Sequence, residues 1–118
     1  MNAFRAALIA VLAAVLLAAA SAGAASHKTQ TCKVFSIPDG YVTSLKVTGV
    51  TCAKGKQVAL AYRSCRIHNG GVTGHCKSKV LGFTCKEGQR MSIPTEFDAR
   101  VTCTKGSEKV VHTYQQNT

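Results

Sequence analysis

Past residue 26 the apolar positions fall into short, partly alternating runs, interrupted once by a stretch with helical spacing. Cys32–Ile37 reads as a short strand, and Pro38-Asp39-Gly40 after it as a turn. From Val42 to Val50, Leu45 and Val47 point one way and Ser44, Lys46 and Thr48 the other, the mark of a half-buried strand, with Gly49 read as a bulge or close backbone approach. Thr51–Arg66 changes period. Cys52, Gly55, Val58, Ala59, Tyr62 and Cys65 recur at three- and four-residue spacing and form one helix face, with Thr51 placed to cap it. Gly55 lowers helix propensity there, and close packing of the helix on a sheet is its expected reason.

Asn69–Gly74 is a loop by its glycines. Val80–Lys86 is a predicted strand with Leu81, Phe83 and Cys85 on one face. Glu87–Arg90 is a turn, and Met91–Asp98 an irregular stretch or an edge strand interrupted by Pro94. Arg100–Thr104 and Lys109–Tyr114 are strands joined by a Lys105–Glu108 hairpin loop, with Val101 and Cys103 sharing a face, as do Val110, His112 and Tyr114. Ser26–Thr31 and Gln115–Thr118 are polar ends. This order predicts an α+β fold: one helix packed on a small antiparallel sheet of about four to five strands.

The first 25 residues follow a different pattern. Arg5 precedes an unbroken apolar run from Ala6 to Ala20, and small residues follow in A-x-A arrangement. This reads as a secretory signal, cleaved near residues 22–26, leaving 26–118 as a single domain with no transmembrane segment. The leader inflates the hydrophobic share of 46% for the whole chain. About 35% remains in residues 26–118, a modest core for a domain of this size.

Cysteine usage compensates. Cys32, Cys52, Cys65, Cys76, Cys85 and Cys103 all lie beyond the leader, and an even count in a short exported chain implies a disulfide framework. Cys65 and Cys76 flank the glycine loop and are expected to pair. Cys52 is expected to pair with Cys85 or Cys103, stapling helix to sheet, and Cys32 with the cysteine left over. The spacings contain no C-x-x-C knuckle, so no metal site is expected.

A resemblance emerges at this point. The runs Val50-Thr51-Cys52-x-x-Gly55-x-x-Val58-Ala59-x-x-Tyr62-x-x-Cys65, Gly82-Phe83-Thr84-Cys85 and Val101-Thr102-Cys103-Thr104-Lys105-Gly106 look like a group of small secreted cysteine-containing domains common in actinobacterial genomes. It covers roughly residues 42–114. This chain departs in carrying Gly55 where Ala is usual and in its Cys32 extension. The resemblance implies the α+β fold and assigns no activity.

Lys and Arg number 15 against five acids, a net charge of +10 that becomes +9 once Arg5 leaves with the leader. Such a charge favours anionic partners. Lys54, Lys56, Arg63, Arg66, Lys77, Lys79 and Lys86 form the denser basic stretch, and the first six are the expected anionic-ligand patch. His68 and His75 beside the loop suit acid–base cleavage of RNA, but solvated loop histidines are the simpler reading. Glu96 and Asp98 are spaced as on one strand face, as a glycosidase pair would be, yet no tryptophan supplies a sugar platform. Ser64 and Ser92 lack a nucleophile elbow. With few aromatics free of the core, only non-specific phosphate contact is expected, not specific nucleic-acid recognition. No cofactor is expected.

The expected function is therefore that of a secreted, basic, non-catalytic interaction module for anionic extracellular polymers or cell-wall surface. Two alternatives stand beside it. One is a protease inhibitor, meeting a protein partner through the cysteine-flanked loop 67–75 or Gln89-Arg90-Met91. The other is a small secreted ribonuclease.

Overall fold

The computed structural model describes residues 28–118, and the leader and His27 lie outside the described residues. Among the described residues, seven strands and one α-helix follow in the order β1 (Thr29–Thr31), β2 (Phe35–Ile37), β3 (Gly40–Thr48), α1 (Cys52–His68), β4 (Thr84–Glu87), β5 (Met91–Ile93), β6 (Glu96–Lys105) and β7 (Glu108–Asn117), with one 3-10 turn at Gly71–Thr73 after α1. All strands belong to one antiparallel sheet of order β1-β3-β7-β6-β4, with β2 also on β3 and β5 also on β6. The α+β architecture is as expected, with more strands than the four to five predicted. The excess lies at the edges: β1 and β2 share the outer side of β3, and β4 and β5 share that of β6. Strands of three or four residues carry too little alternation to register as a period. Splitting each edge this way also shortens the unpaired backbone offered to other chains.

Helix α1 starts where predicted. Thr51 is extended (φ −76°, ψ 158°) and its hydroxyl accepts from Lys54 N at 3.1 Å. Gly55, Val58, Ala59, Tyr62 and Arg66 are buried against β3 and β7. A Cβ on Gly55 would overlap Val47 Cγ1, so the close helix–sheet approach expected of this glycine is present. On β3, Val42 and Leu45 both face the helix although three residues apart, because the register against β7 slips at Thr43. That bulge hid Val42 from a strict two-residue alternation.

The segment from Asn69 to Phe83 covers the β6–β4 half of the same face, burying Val80 and Phe83. Here the predicted strand is displaced. Val80 and Phe83 form an isolated bridge closed by mutual backbone hydrogen bonds of 2.9 and 2.8 Å, and Leu81 and Gly82 make the turn between them. Leu81 therefore leaves the face it was expected to share with Phe83 and Cys85 and stands exposed.

The three disulfides are Cys32–Cys52, Cys65–Cys76 and Cys85–Cys103. The pairing across the glycine loop is as expected, whereas that of Cys52 with Cys85 or Cys103 is not. Cys85 and Cys103 are direct cross-strand partners of β4 and β6, at the far side of the sheet from the helix start. Cys32 hydrogen-bonds to Leu45 on β3 and so lies beside Cys52. No helix among the described residues is long and apolar enough to cross a membrane.

Candidate anion-binding surface

The six cations of the predicted patch do not form one surface. At about 100° per residue around a helix, Lys54 falls on one flank of α1 and Lys56 with Arg63 on the other. Lys56 Nζ lies 5.0 Å over the Phe35 ring. Arg63 is half-buried and donates to Pro38 O at 3.2 Å. Lys77 and Lys79 are exposed on the segment that leads into the Val80–Phe83 turn. Arg66 is fully buried, which corrects its assignment to the patch. A long basic side chain one turn after Tyr62 falls on the apolar face of the helix, and charge alone hid that phase.

Arg66 instead locks the loop to the sheet. Its guanidinium stacks 4.1 Å over the Tyr114 ring, and its two terminal nitrogens donate to Val72 O at 3.0 Å and Gln116 Oε1 at 3.1 Å. Burial lowers its pKa, against the neighbouring Tyr114 and Glu87, which favour the charge. A second lock lies beside it. Glu87, at the end of β4, accepts from Arg90 Nε at 3.2 Å and from the Tyr114 hydroxyl, and His75 Nδ1 lies 3.1 Å from its Oε2. Arg90 stacks on Phe97 and donates to Thr73 O and Gly74 O, each at 2.6 Å. Burial first, and the Glu87 hydrogen bond second, push the Tyr114 hydroxyl far above its ordinary pKa. Burial and the Glu87 charge push Tyr62 up to about 12.

These contacts bear on the alternative sites. His75 is brought to a carboxylate, while His68 ends the helix, exposed. The Glu87 side chain is only 8% exposed and both its oxygens are engaged, so its chemistry is that of an anchor. The carbonyls of loop residues 72–74 turn inward to Arg66 and Arg90, and Arg90 itself points inward from the Gln89-Arg90-Met91 turn. Glu96 and Asp98 do share the outer face of β6, where Glu96 accepts from Gln115 Nε2. Among the described residues no three His, Cys, Asp or Glu side chains gather as a metal site. An open cleft of about 590 Å³ runs beside the Cys32–Cys52 bridge, with Lys33 and Lys56 on its walls.

The face of the sheet turned away from α1 presents the clearest array of accessible cations. Strand register assigns its rows. One is Thr29, Thr48, Lys109, Thr104 and Thr84; the next is Thr31, Lys46, Val111, Thr102 and Lys86; then come Ser44, Thr113 and Arg100. Strands about 4.8 Å apart and alternate residues about 6.7 Å apart put Lys109 about 8 Å from Lys46, and Arg100 about 8 Å from Lys86, measured between backbones. All four cations are exposed and fit within a field about 14 Å wide. Asp98 and Glu96 appear only beyond the Arg100 row. The signal was present in sequence as cations alternating out of phase with buried residues. Bringing Lys46, Lys86, Arg100 and Lys109 together, however, requires the strand order. No family model, curated protein or solved structure matches the chain.

Proposed function

We propose that this protein is an exported, non-catalytic module that binds anionic extracellular polymers or cell-wall surface through the uncovered face of its sheet. The observation that carries the reading is the field of Lys46, Lys86, Arg100 and Lys109, set among threonine hydroxyls with no carboxylate inside its rows. A flat array of point charges and hydroxyl donors suits repeating phosphate or sulfate groups and demands no shaped pocket. The three disulfides suit an oxidising compartment and hold the face rigid, which lowers the ordering cost of binding.

The test is binding of the oxidised protein, residues 26–118, to polyphosphate and to a sulfated polysaccharide at low and high salt. Affinity is expected to fall steeply with salt. The triple variant Lys46→Glu, Arg100→Glu, Lys109→Glu is expected to abolish binding, and the triple variant Lys54→Glu, Lys56→Glu, Arg63→Glu to weaken it only modestly. Equal losses in both variants would assign binding to net charge, and unchanged affinity in the first would refute the site.

A further inference from the structure

The Val80–Phe83 turn holds an unusual residue for its backbone. Leu81 has φ 49° and Gly82 φ 81°, and the flanking residues exchange both backbone hydrogen bonds. Two successive positive φ values between paired residues define a type I′ turn, whose first position favours Asn, Asp or Gly. Leucine there is strained, and about half of its surface faces solvent (48% exposed). The turn is nonetheless held firmly. Val80 and Phe83 on either side are buried, and the Cys65–Cys76 and Cys85–Cys103 bridges anchor the chain just before and just after it.

Two lysines stand beside this turn. Lys79 precedes the turn, exposed. The Lys105 side chain reaches back to it, with Cε 3.3 Å and Nζ 3.4 Å from the Cβ position of Gly82. Lys109 and the Thr84–Thr104 row lie at the same end of the sheet. The acid nearest in register is Glu108, half-buried and opposite Lys105 in the β6–β7 hairpin. Asp39, Glu96 and Asp98 stand at the opposite end, where β3 begins and β7 finishes. The acids Asp39, Glu96 and Asp98 thus lie away from the turn, and Lys105 beside it.

We infer that the Val80–Phe83 turn is a docking finger for anionic lipid bilayers, in which Leu81 enters the acyl boundary while Lys79 and Lys105 meet headgroup phosphates. An apolar side chain flanked by two lysines matches the order of layers in a bilayer surface, hydrocarbon beneath phosphate. A soluble polyanion offers no partner to Leu81. One leucine and a few lysines give a reversible association. The finger uses residues distinct from the sheet-face cations, so either reading stands without the other.

The experiment is sedimentation of the oxidised protein with vesicles of phosphatidylcholine, with and without phosphatidylglycerol, beside the polyphosphate assay. Binding is expected only with the anionic lipid. Leu81→Gly suits the turn, so it should keep or raise the unfolding midpoint, yet lower vesicle partitioning about tenfold, as loss of one buried leucine requires. Lys79→Gln and Lys105→Gln should each lower it about fivefold. The chain has no tryptophan, so Leu81→Trp reports the tip alone, and its emission should shift to the blue on anionic vesicles. Vesicle binding unchanged in Leu81→Gly, no blue shift, or no binding of the parent protein would each overturn the finger. Intact polyphosphate binding in any of those cases leaves the sheet-face reading standing. The converse pattern, vesicle binding lost in Leu81→Gly with no polymer bound by any variant, supports the finger and removes the sheet face.

Discussion

His112 should make this protein lose stability in mild acid. The ring lies on β7 between Leu45 of β3 and Val101 of β6, edge-on to Tyr62 with 5.6 Å between centroids, and is 1% exposed. Among the described residues the titratable groups around it are Tyr62 and Arg66 of α1 and Tyr114 of β7, and its Nδ1 has no hydrogen-bond partner. Burial first, and the Arg66 charge second, lower its pKa from 6.5 to about 4. Between these values the unfolded chain binds a proton that the folded chain refuses. Stability is therefore complete above about pH 6.5 and declines as pH falls toward about 4. The linkage integral gives a loss of about 2 kcal/mol by about pH 5 and about 3 kcal/mol by about pH 4, a large part of a typical domain's 5–15. Urea unfolding between about pH 7 and about pH 5 measures it. Because carboxylates titrate in the lower part of this range, the decisive quantity is the difference between the parent and His112→Phe. Phenylalanine keeps a planar ring without a titratable nitrogen; its larger size carries a pH-independent packing cost that cancels from the profile, so it should remove about 2 kcal/mol of the decline. Parallel pH profiles for the two proteins would refute the reasoning.

Two further substitutions probe the packing around the same core. Gly55→Ala gains about 1 kcal/mol of helix propensity but drives a Cβ into Val47, a stiff β-branched side chain 1% exposed, so overpacking of about 1–3 kcal/mol should lower the thermal midpoint. A raised midpoint would mean the helix is not seated on that residue. Arg66→Met leaves Gln116 Oε1 and Val72 O without their donor, which should cost about 2–3 kcal/mol and speed amide exchange in residues 70–74. Unchanged exchange there would show that the guanidinium does not hold the loop.

Legibility in the sequence tracked how local each signal was. The helix, its Thr51 cap, the tight seat of Gly55 and the Cys65–Cys76 bridge depend on neighbours within a few turns of chain, and all were readable. The Cys52 partner was not, because choosing Cys32 over Cys85 or Cys103 requires knowing that β4 and β3 lie at opposite sides of the sheet. Leu81 was misassigned for a subtler reason. Val80–Lys86 has strand composition, and only the hydrogen bonds between Val80 and Phe83 reveal a turn at its second and third residues. Arg66 shows the limit of reading charge as surface. A guanidinium can be buried when carbonyls and an aromatic face replace water, and those partners, Val72, Tyr114 and Gln116, arrive from two other parts of the chain. The two errors have a common consequence for function. Removing Arg66 from the surface splits the densest basic run of the sequence, while moving Leu81 into solvent places an apolar tip among the lysines that remain exposed. The cations brought near by strand register are therefore those of the sheet face. A linear scan of charge picks out only Lys86 among the four sheet-face cations, because Lys46, Arg100 and Lys109 lie outside the dense basic stretch.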